Sequence, residues 1–195
     1  AKYEDGYLVI DGKKIKIGYV PQKLNVENSP MTVYDMAASY TSNYPVFLKK
    51  NKKVYEEIKK HLKEFGAEEL IDSKVSRLSG GELQRVMIAR TIAQDTPWII
   101  LDEPVSNLDV RHQYELMKVM IKLREDKGKT IIAILHDLNL AARFCDKIVL
   151  MKNGKIYDMG DSKKVLTKDN LKSVYDMEFE FIGNKESIII APKYV

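Results

Sequence analysis

The sequence predicts an α/β fold: a parallel sheet core, an antiparallel β piece ahead of it and an inserted α-helical lobe between the two. Three observations carry this. After Pro97, short apolar runs at 98–101 and 130–135 alternate with a helical stretch from about 110 to 126, the βαβ pattern that gives parallel strands. Ahead of Gln22, two β-like runs at 7–10 and 15–20 flank Asp11-Gly12, a strong hairpin signal. From 32 to about 93 no convincing strand occurs, whereas Val54, Ile58, Leu62 and Phe65 recur at helical spacing with Gly66 as a stop.

Further along, Lys127-Gly128-Lys129 supplies the helix stop between the two buried strands, and a helix near 138–144 leads into 148–151, expected to add another strand to the parallel sheet. Asn153-Gly154 turns the chain into a second hairpin with 155–159. A short helix and β runs at 178–182 and 187–191 then make a small accessory element. Lobe boundaries are expected near Gln22 and near 95–97, so the chain divides into 1–22, 23–95, 96–160 and 161–195.

At 195 residues and 45% hydrophobic, the chain is long enough for one sizeable core with lobes or two small cores. Its net charge of +4 is modest and its basic residues are dispersed, so nucleic acid is not an expected partner. Lys49, Lys50, Lys52, Lys53, Lys59 and Lys60 alternate with Glu56, Glu57 and Glu64 as a solvated helix face does. The single cysteine, Cys145, excludes an internal disulfide and fits a reducing compartment and a packing role. The apolar runs are too short to cross a bilayer, so a membrane link would pass through a partner protein.

Leu78-Ser79-Gly80-Gly81-Glu82 reads as a helix start. Ser79 can cap it, Glu82 three residues on closes a capping box, and the two glycines let backbone N–H groups approach an anion. Adjacent glycines cost helix stability about 1 kcal/mol each relative to alanine, so their placement suggests a need for bare backbone. Next, the run 98–101 delivers Asp102 and Glu103 to the C-terminal edge of a buried strand, where ligands bind in open α/β sheets. One carboxylate there can hold Mg²⁺, and the second can orient and activate a water that attacks a γ-phosphate. Ser106-Asn107-Leu108-Asp109 turns into the next helix with Asp109 near its positive end. His136 follows the neighbouring strand, where neutral imidazole can sense a phosphate oxygen. Gln22, at the end of the opening β piece, offers a neutral carbonyl oxygen to a cation or water.

Together these residues resemble the ATP-binding cassette (ABC) family of ATPases, in the family's order and over nearly the whole chain. Residues 78–82 resemble the signature motif, 98–103 Walker B with its catalytic glutamate, and 106–109 the D-loop. His136 resembles the switch histidine and Gln22 the Q-loop glutamine. The resemblance implies a P-loop NTPase-like (RecA-like) core that binds ATP and Mg²⁺, with Asp102 and Gln22 on the metal, Glu103 as general base and His136 on the γ-phosphate. Leu78, Ser79, Gly80, Gly81, Glu82 and Asp109 would meet nucleotide, the signature residues serving the opposite subunit of a head-to-tail pair.

Residues 17–22 with 31–35 are similar to ATPases of zinc and manganese importers, and 107–113 with 135–139 to those of iron-chelate and vitamin B12 uptake. This implies an importer of metal ions or metal chelates. Its ATPase would pair with a second ATP-binding subunit, dock on a transmembrane permease subunit through the helical lobe and depend indirectly on a substrate-binding protein. Its place would be cytoplasmic, peripheral at the inner face of the membrane. The sequence contains no G-x-x-x-x-G-K-[ST] loop, and only 21 residues precede Gln22. The expectation is an N-terminally truncated cassette that hydrolyses little or no ATP alone. Two other readings are a soluble ABC ATPase acting on DNA or ribosomes, which the modest charge disfavours, and a non-catalytic fragment, which the missing loop alone supports.

Overall fold

The structure, a computed structural model, describes residues 2–4, 7–10, 13–23, 26–39, 51–183 and 188–193, with side chains from residue 13 onward. The Asp11-Gly12 turn, Lys49, Lys50 and Ser187 lie outside the described residues. The chain forms two compact units, Ala1–Ile134 and Leu135–Val195.

The first unit is built on a five-stranded sheet in the order β1 (Lys2–Glu4), β2 (Tyr7–Ile10), β3 (Lys13–Val20), β4 (Trp98–Asp102), β5 (Thr130–Ile134). β3 joins the two halves by dividing its length between partners. Lys13 to Lys16 pair antiparallel with β2, and Ile17 to Val20 pair parallel with β4. β4 in turn pairs parallel with β5, Trp98 opposite Thr130 and Asp102 opposite Ile134. The expected antiparallel opening and parallel core are both present, with β1 as an addition that the sequence did not announce.

Between β3 and β4 lie helices α1 (Val33–Ala38), α2 (Lys52–Lys63) and α3 (Gly80–Ala93), and α4 (Val110–Lys127) crosses from β4 to β5. Each terminus has a local cause. Thr32 and Asp35 form a capping box on α1, and the Asn51 carboxamide accepts from the Lys53 and Val54 N–H groups to cap α2. Gly128, at φ +60°, ends α4 in the left-handed conformation, its N–H returning to Arg124 O. The first unit's core gathers Val20, Val86, Ile88, Ile99 and Leu101, all at most 1% exposed. α3 lies against β3 so closely that a Cβ on Gly18 would meet Thr91 Cγ2 at 2.6 Å and Thr96 Oγ1 at 2.9 Å. Both threonines are buried, so neither can swing away. Gly18→Ala is therefore expected to lower stability by about 1–3 kcal/mol, the usual cost of overpacking, as read by urea unfolding.

The second unit holds α5 (Leu138–Phe144), β6 (Lys147–Lys152), β7 (Lys155–Asp161), α6 (Ser162–Val165), α7 (Lys168–Tyr175), β8 (Phe179–Gly183) and β9 (Ile188–Pro192). Here one expectation is corrected: β6 does not extend the parallel sheet but pairs antiparallel with β7 in a two-stranded sheet. Asn153 and Gly154 both have positive φ, 51° and 72°, the primed turn whose twist matches a tight hairpin, so the local partner wins. β8 and β9 form a second antiparallel pair, and Leu166, Leu171, Phe179 and Ile190 close a small core.

Candidate nucleotide site

The parallel register sets the site. Because Val20 stands opposite Leu101 and Asp102 opposite Ile134, β3, β4 and β5 end nearly level. Gln22, exposed two residues past β3, and Asp102 with Glu103 at the end of β4 share that C-terminal edge. Strand alternation buries Ile99 and Leu101 and leaves Asp102 half-buried on the other face. The Tyr19 hydroxyl lies 3.5 Å from Asp102 Oδ2, at the outer limit of a hydrogen bond. Glu103 adopts φ +48°, a left-handed conformation that costs a non-glycine residue about 1–2 kcal/mol and persists where the surroundings impose it. Those surroundings include Ser106, whose hydroxyl and N–H both donate to Glu103 O, at 3.0 and 3.3 Å.

The turn then runs into α4. Asp109 caps the helix by accepting the His112 N–H at 2.9 Å, and His112 Nδ1 lies 2.8 Å from each carboxylate oxygen. The His112 backbone N–H first, and then its ring, hold the Asp109 carboxyl below its ordinary range.

On α3, the expected capping box is complete. Glu82 accepts from the Ser79 N–H and hydroxyl, both at 2.8 Å, while the Glu82 N–H donates back to Ser79 Oγ at 3.4 Å. The Ser79 backbone donor, then its hydroxyl, lowers the pKa of Glu82 and keeps it anionic. Leu78, just ahead, is half-buried. Arg85 Nη1 donates to Phe65 O and Gly66 O, at 3.3 and 3.0 Å, tying the helix to the turn after α2.

The first unit thus brings Gln22, Asp102 and Glu103 to one sheet edge, and brings Gly80 and Gly81 beside Asn107, whose backbone oxygen would lie 2.9 Å from a Cβ on Gly81. His136 follows the end of β5 by two residues and falls in the second unit, exposed and one residue ahead of Asp137, which caps α5 through the Asn139 and Leu140 N–H groups. Sequence reasoning gave no individual role to Asn107, Arg85 or Gln113; the Gln113 Nε2 donates to Val105 O and Leu108 O. Two glycines opening a helix were the available signal for a close neighbour.

Among the described residues no group of three or more His, Cys, Asp or Glu could hold a metal ion. Asp102 with the Gln22 carbonyl oxygen is a hard, sparse oxygen donor set. It fits Mg²⁺, which takes one or two carboxylates and completes its shell with substrate phosphates and water.

Level strand ends bearing an Asp-Glu pair, with an inserted helical lobe carrying a capped glycine pair, are features of the P-loop NTPase fold. The ABC transporter family profile matches residues 8–106, and the chain belongs to that family. It is 44% identical over 110 residues to the petrobactin import ATP-binding protein YclP of Bacillus subtilis, a match covering 56% of this chain and 44% of that protein. It is 32% identical over 190 residues to the ferric enterobactin transport ATP-binding protein FepC of Escherichia coli, covering 92% of this chain and 70% of that one. Among solved structures it resembles a metal-chelate type ABC transporter in an inward-facing conformation, with TM-score 0.74 and 27% identity, covering 91% of this chain and 72% of that one. The chain therefore spans less than half of the first relative and under three quarters of the others.

Proposed function

We propose that this chain is part of the ATP-binding and ATP-hydrolysing subunit of an ABC importer for metal ions or metal chelates, coupling hydrolysis to transport. The observation that carries the reading is the Asp102-Glu103 pair at the end of β4, with Gln22 at the same sheet edge and Glu103 held at positive φ. The names of YclP and FepC and the metal-chelate transporter structure support the substrate class.

In this reading Asp102 and Gln22 would hold Mg²⁺, which would offset charge on the phosphates. Glu103 orients and deprotonates the attacking water, its carboxylate taking the proton. His136 contacts the γ-phosphate. Ser79 with the backbone N–H groups of Gly80 and Gly81 faces the nucleotide of a second ATP-binding subunit, and Leu78, Glu82 and Asp109 support that contact. The four segments 1–22, 23–95, 96–160 and 161–195 would then be the Q-loop piece, helical subdomain, core and accessory element. Docking on a permease through the helical subdomain would place the protein at the cytoplasmic membrane face, reached indirectly by a substrate-binding protein. Among the described residues no helix is long and apolar enough to cross a membrane.

A second reading, a fragment that binds a partner without catalysis, is favoured by one observation: the sequence holds no G-x-x-x-x-G-K-[ST] loop. Measured Mg-ATP hydrolysis separates the two. This chain alone is expected to hydrolyse little or none, and the protein carrying a phosphate loop upstream is expected to hydrolyse ATP and to co-purify with its neighbouring permease. A loop-bearing protein that does neither would sink the importer reading.

A further inference from the structure

We propose that Gln113 is a positioning residue for the ATPase reaction, fixing the loop between β4 and α4 so that Glu103 and the signature glycines of one chain keep a set spacing. The proposal rests on the ATPase reading above.

The loop from Glu103 to Asp109 has no regular secondary structure, yet little in it is free to move. Pro104 and Val105 are buried. Ser106 closes back on Glu103 O, and the Leu108 N–H donates to Val105 O at 3.1 Å. Gln113 completes the clamp from α4. Its Nε2 donates to Val105 O at 3.1 Å and to Leu108 O at 3.0 Å, one planar group bridging two turn carbonyls. The base of this bridge is firm, because the Gln113 N–H donates to Asp109 O at 2.9 Å within a helix start that Asp109 caps.

Asn107 lies between the two clamped carbonyls, and its own oxygen abuts the first turn of α3 at the point where Gly81 has no Cβ. Gln113 on one side and the bare Gly81 backbone on the other thus bracket the loop. At its near end stands Glu103, in a backbone conformation that an L residue keeps only when its neighbours impose it. A general base works only within a fraction of an ångström of its productive position, so loosening this loop should act on the chemical step rather than on nucleotide affinity. The chemistry also selects the residue type. A terminal carboxamide offers two donors from one atom at a fixed angle, whereas a carboxylate of the same length would present oxygen to oxygen.

The test uses this chain with a phosphate loop supplied upstream and Gln113→Met, which keeps length and removes the donors, with Gln113→Glu as a second variant should the first fail to fold. Both are expected to lower kcat about 10- to 100-fold with KM for ATP changed no more than about twofold. Amide exchange at Ser106 and Leu108 should quicken, and combining Gln113→Met with Glu103→Gln should lower kcat no further than Glu103→Gln alone, since both act through one base. Unchanged kcat in a folded variant, a change in KM alone, or a loss that multiplies with that of Glu103→Gln would overturn the role of Gln113 and leave the ATPase reading standing. Absence of Mg-ATP hydrolysis in the parent would overturn both.

Discussion

Glu103→Gln in the protein carrying a phosphate loop upstream is expected to lower kcat for Mg-ATP hydrolysis by about 10²- to 10⁴-fold, the range a positioned general base contributes. The reasoning begins in the backbone. β4 ends at Asp102, and the next residue turns to φ +48°, so the side chain leaves the strand's alternation at the sheet edge where Gln22 also emerges. Glutamine keeps the length and hydrogen-bonding outline of glutamate and can take the same backbone conformation, so stability should change by less than about 0.5 kcal/mol. What it cannot do is accept the water's proton. Nucleotide affinity should accordingly persist while turnover falls, giving a protein that holds ATP without consuming it. Steady-state hydrolysis together with nucleotide binding by equilibrium dialysis checks this, and a variant that turns over like its parent would remove Glu103 from the role of base.

Features governed by near neighbours in the chain were legible in the sequence. The Ser79-Glu82 capping box spans three residues and formed as its spacing required. Asp109 and Gly128 bracket α4 as a cap and a left-handed stop, and Asn153-Gly154 made its hairpin. Choices between distant partners were less visible. β6 is apolar enough for a parallel core strand, but a pattern of side chains does not name the strand it will pair with, and the hairpin turn offered a nearer one. β1 is three residues long, too short for alternation to show. The Asp102-Glu103 pair could be placed at the sheet edge because a buried strand run leads straight into it. Gln113 could not, because a glutamine in the first turn of a helix looks solvated until the carbonyls of Val105 and Leu108 are seen beside it.

Substituting the two signature glycines separately should give stability changes of opposite sign. Both lie in the first turn of α3 and neither has positive φ, so alanine is admissible to the backbone at each. On helix propensity alone, either substitution would gain up to about 0.5–1 kcal/mol. At Gly80 a Cβ would meet Asn107 side-chain atoms no nearer than 3.7 Å, ordinary contact, so Gly80→Ala should match or slightly exceed the parent. At Gly81 the same atom would stand 2.9 Å from Asn107 O. That oxygen belongs to the backbone of a turn whose flanking carbonyls Gln113 holds, so it cannot retreat as a flexible side chain would. Gly81→Ala is therefore expected to cost about 1–3 kcal/mol, the range for overpacking, and at about 2–4 °C per kcal/mol for a chain of this size to lower Tm by several degrees. Thermal unfolding of the pair reads the contrast directly. If Gly81→Ala proved as stable as Gly80→Ala, the turn would have to be compliant, and the second glycine would then answer only to the anion that a helix start attracts.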